Sequence, residues 1–235
     1  MQKLLPTTEN ELMIKLTGLI GIVVLLGIAY ALSNNRKAIK PRIVIWGIGL
    51  QVFLALIILK IPLVKSKFSF IDKLFKKLIS FSNEGSDFLF ESFVPGVGYH
   101  EAMINFAFRA LPVIIFFSSL IAVTYHFGII QFIVKWVARV MEKTMKTSGA
   151  ETLSVSANIF VGQTEAPILI RPFIKKMTNS ELTAVMTGGF ATVAGSVLAL
   201  YVLWLNAIPG IAGHMLAASI MSAPAALVMA KIIYP

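Results

Sequence analysis

Long apolar runs separated by short basic segments set the rhythm of this chain. Asp, Glu, Lys and Arg are absent from Leu16–Asn35, Ile43–Leu59, Ala110–Val134 and Leu182–Ala230. Crossing a hydrocarbon core of roughly 30 Å takes about 20 apolar residues per helix. The last run is long enough for two crossings, with Pro209 and Gly210 at its break. The pattern predicts five membrane spans, at about 12–33, 42–60, 104–134, 182–206 and 211–232. Pro112 would kink the third span without stopping it, because neighbouring groups can satisfy the freed carbonyl.

One segment has a different period. In Val64–Ser82, Phe68, Ile71, Leu74, Phe75, Leu78 and Ile79 recur at three and four, with Lys73, Lys76 and Lys77 opposite. That spacing predicts an amphipathic helix lying in the interface plane. The following Ser82–Tyr99 holds Gly85, Pro95, Gly96 and Gly98 and reads as a loop. Ser33–Arg42 carries Arg36, Lys37, Lys40 and Arg42 and no acid, which places it in the cytoplasm and the N-terminus outside. Lys135–Lys146 and Arg171–Lys176 fall on the same side, and these three basic regions outweigh the amphipathic segment on the other.

Composition agrees with a membrane protein. The chain has 235 residues, 57% hydrophobic and 14% charged, against about 25% charged in soluble domains. The net charge of +10 lies between the apolar runs, where basic residues flank spans, so nucleic acid is not the expected partner. There is no cysteine, hence no disulfide and no thiolate metal site. Glu9 and Glu11 precede the first apolar run, unlike the positive start of a cleaved signal peptide, so that span is expected to be retained. His100, His126 and His214 form no ligand spacing, and no nucleophile triad or phosphate loop is present. An enzyme is not expected.

The chemistry concentrates in Thr147–Lys176. Ser148 and Glu151 have capping-box spacing and predict a helix start. Glu165 is the only charge between Glu151 and Arg171, and Gly162 and Pro167 bracket the middle of the stretch. Proline is best tolerated in the first turn of a new helix, with Thr164 or Glu165 as its N-cap. A full crossing would also put residues 135–146 and 171–176 on opposite faces. The segment therefore reads as a re-entrant hairpin of two half-helices meeting at Gly162–Ala166, near mid-depth. Carbonyls at the end of the first half suit a cation, and N–H groups at the start of the second suit a polar substrate group. Glu165, with Gln163 and Thr164 beside it, is a functional candidate; a structural ion pair or an aqueous loop would also accommodate it.

Thr178 and Glu181 repeat the capping-box spacing before the fourth span. Thr187, Gly188, Gly189, Thr192, Gly195 and Ser196 then follow closely. They fit either close helix packing or a helix unwound near Thr192–Val193, with Asn158 facing it. An amide oxygen, a hydroxyl and backbone carbonyls would suit a hard cation such as Na⁺.

Several strings are shared with a known family. Ser156–Ile170, SANIFVGQTEAPILI, closely resembles the hairpin signature of sodium-coupled concentrative nucleoside transporters. FAFRALPVIIFFSSL (Phe106–Leu120), MTGGFATVAGSVL (Met186–Leu198) and HMLAASIMSAPAA (His214–Ala226) resemble the helices around it. The resemblance runs from about residue 40 to the C-terminus. It implies a homotrimeric plasma-membrane transporter, in bacteria of the inner membrane, whose transport domain moves like an elevator and carries nucleoside with Na⁺. Carried over by position, Gly162, Gln163, Thr164 and Glu165 would shape the nucleobase site and Val197 would pack on the base. Asn158, Val161, Thr192 and Val193 would supply the Na⁺ site, partly through carbonyls.

The fold expected is all-α and integral to the membrane, with five spans, one interfacial helix and one re-entrant hairpin, in contact with lipid. It comprises 1–63 (two scaffold spans), 64–100 (interfacial helix and loop), 101–146 (third span), 147–176 (hairpin) and 177–235 (a broken span and the next helix). The resemblance implies Na⁺ as the coupling ion, and no cofactor is expected. The family has a second, inverted half that supplies the ribose side of the site, and the chain stops at Pro235 before it. Two readings follow: a half completed by a second chain, or a truncated fragment that does not transport. Alone, the half is expected to be poorly stable.

Overall fold

A computed structural model describes residues 8–60, 62–90 and 106–235, and the regular structure among them is helical. The helices are α1 (Thr8–Ala31), α2 (Pro41–Lys60), α3 (Pro62–Phe90), α4 (Leu111–His126) and α5 (Ile129–Met145). They continue with α6 (Gly149–Asn158), α7 (Arg171–Ile174), α8 (Asn179–Ala191), α9 (Gly195–Trp204) and α10 (Ile211–Ile233). A π-turn, Phe106–Ala110, leads into α4, and a 3₁₀ turn, Ala166–Ile170, leads into α7.

Among the described residues, four stretches are long and apolar enough to cross a membrane: Pro41–Ile58, Ala107–His126, Asn179–Trp204 and Ile211–Ile233. A shorter apolar stretch, Thr17–Ala31, lies in α1. Exposed Leu19, Val23, Leu25, Ile45, Phe53 and Leu56 show that α1 and α2 turn bare apolar faces outward. In water such a surface would aggregate; against lipid tails it is the required one.

The central element is α10, which packs against α2, α8, α3, α1, α9 and α6. One apolar cluster joins Ala29, Ile43, Met145, Val155, Ile159, Ala184 and Leu227, tying α1, α2, α5, α6 and α8 to α10. A second joins Ile79, Val113, Phe117, Leu198, Val202 and Ile211, tying α3, α4 and α9 to the start of α10. A third, Ile130, Val134, Ala157, Val161 and Ala166, seats residues 157–166 on α5.

The structure corrects the sequence reading in three places. The third span was expected over 104–134, but α4 ends at His126 and α5 is a separate helix. Gly128 sits between them at φ +79°, a left-handed conformation that stops a helix and that glycine adopts without steric cost. In α5 the buried residues Ile130, Val134, Ala138, Met141 and Met145 recur at three and four, while Lys135, Arg139 and Lys143 are exposed. Ahead of most of those charges the exposed side of α5 is apolar, with Ile129, Phe132 and Trp136. Second, α3 runs through Gly85 to Phe90, so 82–90 is helix where a loop was expected. Glycine inside a helix costs only about 1 kcal/mol, and Ser82 and Ser86 are buried against the bundle. Residues 91–99 of that expected loop lie outside the described residues. Third, within the segment expected to lie in the interface plane, Asp72 is buried; its Oδ1 accepts from the Ala212 N–H at 3.2 Å, in the first turn of α10.

Candidate functional site

The site begins with α6. Glu151 Oε1 accepts from the Ser148 N–H at 2.8 Å and starts the helix as a capping box. Its residues 154–158 are all buried, enclosed by α5 and α8. After Asn158 the helix ends, and residues 159–165 form an irregular tip. The 3₁₀ turn with Pro167 in its first turn returns the chain and packs back on α6. The hairpin thus has one regular arm and one short arm, Ala166–Ile170 continuing as Arg171–Ile174.

Facing the tip, α8 stops at Ala191 and α9 starts at Gly195. Thr192 is extended, at φ −131° and ψ 159°. The interruption lets one membrane-length stretch serve two neighbourhoods: α8 packs on α6 and α10, and α9 packs on α4, α3 and α10. The Gly195 N–H donates to the Phe160 carbonyl at 3.2 Å, joining the tip to the interruption.

Asn158 spans this junction. Its Nδ2 donates to the Gly188 carbonyl at 2.7 Å and also to Thr192 Oγ1, and Thr192 Oγ1 donates to the Asn158 carbonyl at 3.0 Å. These bonds fix the amide orientation. They also leave Asn158 Oδ1, in a residue 2% exposed, with no hydrogen-bond partner. A buried polar atom without a partner costs about 1–3 kcal/mol, and a cation would satisfy it. Thr192 and Val193 lie in the interruption and buried Val161 lies in the tip. Of the four expected Na⁺ residues, Asn158 and Thr192 are hydrogen-bonded to each other, and Val161 and Val193 lie in the adjoining irregular segments.

Glu165 carries the charge at the tip. It is exposed, and its Oε2 accepts from Thr164 Oγ1 at 2.8 Å. A Cβ on Gly162 would collide with that carboxylate oxygen and come within 3.3 Å of Ala194 Cβ. Glycine at 162 thus lets the carboxylate fold over the tip. A cavity of about 410 Å³ opens here, lined by Val161, Gly162, Glu165, Ala194, Ser196 and, from α4, Tyr125 among others. Gln163 and Thr164 are exposed and do not line it, and Gln163 stands close to Gly189 of α8. Val197 is half-buried in α9 and does not line the cavity. The sequence reading missed the α4 wall, Ser118, Ile121, Ala122 and Tyr125. Only Ser118 lay in a shared string, and nothing in a uniformly apolar helix marks which face meets a cavity.

Helices that break off inside an apolar bundle and meet around polar groups characterise ion-coupled secondary transporters; this arrangement belongs to that class. The sequence matches two family descriptions, "Na+ dependent nucleoside transporter N-terminus" over residues 20–93 and "Nucleoside recognition" over 107–208. The chain belongs to the family of sodium-dependent nucleoside transporters. An uncharacterized transporter of Haemophilus influenzae is 43% identical over 226 residues, which are 94% of this chain and 51% of that protein. The human sodium/nucleoside cotransporter 1 is 42% identical over 94% of this chain and 32% of its own length. The chain therefore spans about half the length of the first relative and about a third of the second. Among solved structures, CNTnw in an inward-facing substrate-bound state superposes with a TM-score of 0.83 at 43% identity, over 94% of this chain and 53% of CNTnw. A CNTnw variant in an outward-facing state superposes with a TM-score of 0.82 over 95% and 53%. The family is one of transporters, not enzymes, and the chain is an integral membrane protein.

Proposed function

We propose that this chain supplies the Na⁺ site and the nucleobase side of a sodium-coupled nucleoside transporter. The observation that carries the proposal is the unpaired Asn158 Oδ1, buried where the hairpin tip meets the α8–α9 interruption. Around it, the Thr192 hydroxyl and the carbonyls of Val161, Thr192 and Val193 would complete an oxygen shell for Na⁺. Gly162, Gln163, Thr164 and Glu165 would present hydrogen-bonding groups to the base, with Val197 packing behind. The cavity of about 410 Å³ beside Glu165 supports the second part.

The hairpin is taken as re-entrant. Lys40, Lys146, Ser148, Thr178 and Pro235 line a single cavity, which supports entry and exit at one end of the bundle, the basic cytoplasmic end. Elevator-like movement, homotrimeric assembly, contact with lipid and a bacterial inner-membrane location belong to the same proposal. CNTnw solved in inward-facing, intermediate and outward-facing states supports the movement.

The test is thermal unfolding of the purified chain titrated with NaCl, balanced with choline chloride. Na⁺ should raise the midpoint, and Asn158→Leu should remove the Na⁺ response while the chain stays folded. In a transporting assembly containing this half, Glu165→Gln should cut Na⁺-dependent uridine uptake by tenfold or more. An undiminished Na⁺ response in Asn158→Leu would sink the ion site.

A further inference from the structure

At the opposite end of α6 lies a buried ion pair that the transport reading does not use. Glu151 is 1% exposed, and Lys231, near the end of α10, has a side chain 12% exposed. Lys231 Nζ stands 2.7 Å from Glu151 Oε2 and donates to Ser180 Oγ at 2.9 Å. Ser180 Oγ in turn donates to the Tyr234 carbonyl at 2.8 Å. One ammonium group therefore ties together the start of α6, the start of α8 and the end of α10. Glu151 keeps its other oxygen on the Ser148 N–H, and Glu181 caps α8 in the same way through the Thr178 N–H at 2.8 Å.

The geometry gives this knot a consequence ten ångströms away. From Glu151 to Asn158 is seven residues, and from Glu181 to Gly188 is also seven, in each case about two turns and roughly 10 Å of helix. The two helices start at the Lys231 knot and run side by side to the Asn158–Gly188 hydrogen bond. At the upper end Val155, one turn before Asn158, presses on Gly188, where a Cβ would lie 2.6 Å from Val155 Cγ2. Parallel helices tied at both ends cannot slide against each other. A slip at the base would carry Asn158 off the Gly188 carbonyl and the Thr192 hydroxyl, since the intervening turns are rigid.

We propose that Lys231 is a positioning residue for the ion site: by holding the bases of α6 and α8 in register, it sets where Asn158 Oδ1 stands relative to Thr192. It touches neither ion nor substrate. The inference rests on the sodium-site reading above and adds a residue that nothing in the hairpin or interruption strings marks.

Removing one partner of a buried pair leaves an uncompensated charge, whereas replacing both with apolar residues is often neutral for folding. That difference separates position from stability. The experiment is the Na⁺ titration of thermal unfolding in choline-balanced salt, on the whole chain. Lys231→Met should raise the half-saturating Na⁺ concentration by tenfold or more. Lys231→Met with Glu151→Met should recover the unfolding midpoint in choline but keep the weakened Na⁺ response, because the tie to Ser180 is gone. Lys231→Arg should restore much of the Na⁺ response. Where Lys231→Met does not fold, Ser180→Ala, which removes one arm of the knot, is read in its place. A half-saturating concentration unchanged in the double variant, while Asn158→Leu loses its response, would overturn the role of Lys231 and leave the ion site standing. A wild-type chain indifferent to Na⁺ would remove the ion site and this role with it.

Discussion

Asn158 donates through its amide to the Gly188 carbonyl and to Thr192 Oγ1 and leaves Oδ1 without a partner at the meeting point of the tip and the α8–α9 interruption. The packing beneath it is equally constrained. Val155 lies one turn before Asn158 and meets α8 at Gly188, where there is no room for a methyl group. Gly188→Ala should therefore cost about 1–3 kcal/mol by overpacking and lower the thermal unfolding midpoint. Adding Val155→Ala should recover much of that loss, so the pair should be non-additive in a double-mutant cycle; simple additivity would mean the two side chains do not share the space. At this scale the sequence was partly legible. Asn158, Gly162 and Glu165 stood out because polar and glycine residues inside an apolar run need a reason. Glu151 was legible only as a helix cap. Its bond to Lys231 joins residues eighty positions apart, and no local pattern carries that distance.

Two interruptions shape the elements, and they differ in how far the chain advertises them. Residues 192–194 break the α8–α9 helix among glycines, serine and threonine, a cluster that hints at weakness. The break between α4 and α5 lies within a charge-free stretch where hydropathy runs straight through it, so a single long span was the natural reading of 104–134. Hydropathy measures what a helix would cost in lipid, not where its axis turns. The turn is made by Gly128 at φ +79°. Placing a Cβ there costs about 1–2 kcal/mol, although nothing lies within 4 Å of it. Gly128→Ala should therefore destabilise the chain by that amount without steric conflict, read as a lower unfolding midpoint. An unchanged midpoint would mean that the turn is not held in this conformation. The length of α3 is hidden for the opposite reason: Gly85 reads as a stop signal, yet buried Ser82, Ser86 and Asp72 anchor the helix to the bundle.

For the molecule as a whole, the decisive quantity is which end of the bundle each segment occupies. The cavity of about 460 Å³ lined by Lys40, Lys146, Ser148, Thr178, Lys231 and Pro235 gathers the α1–α2 connection, both bases of the hairpin region and the C-terminus. The Asn34 N–H also donates to the Ile233 carbonyl at 2.9 Å, tying the first connection to the end of α10. If that end is cytoplasmic, the basic residues of 33–42, 135–146 and 171–176 all satisfy the positive-inside tendency, and the hairpin tip, about 15 Å along a ten-residue helix, reaches mid-depth. If the hairpin instead crossed fully, Lys146 and Lys175 would lie a membrane thickness apart. The chain has no cysteine, so single-cysteine variants at Lys37, Lys146 and Lys175 need no background removed. All three should react with a membrane-impermeant maleimide only from the cytoplasmic side of oriented vesicles, while Gln163→Cys should react slowly and be slowed further by Na⁺. Lys146 and Lys175 labelling from opposite faces would dismantle the re-entrant hairpin and the buried site that depends on it.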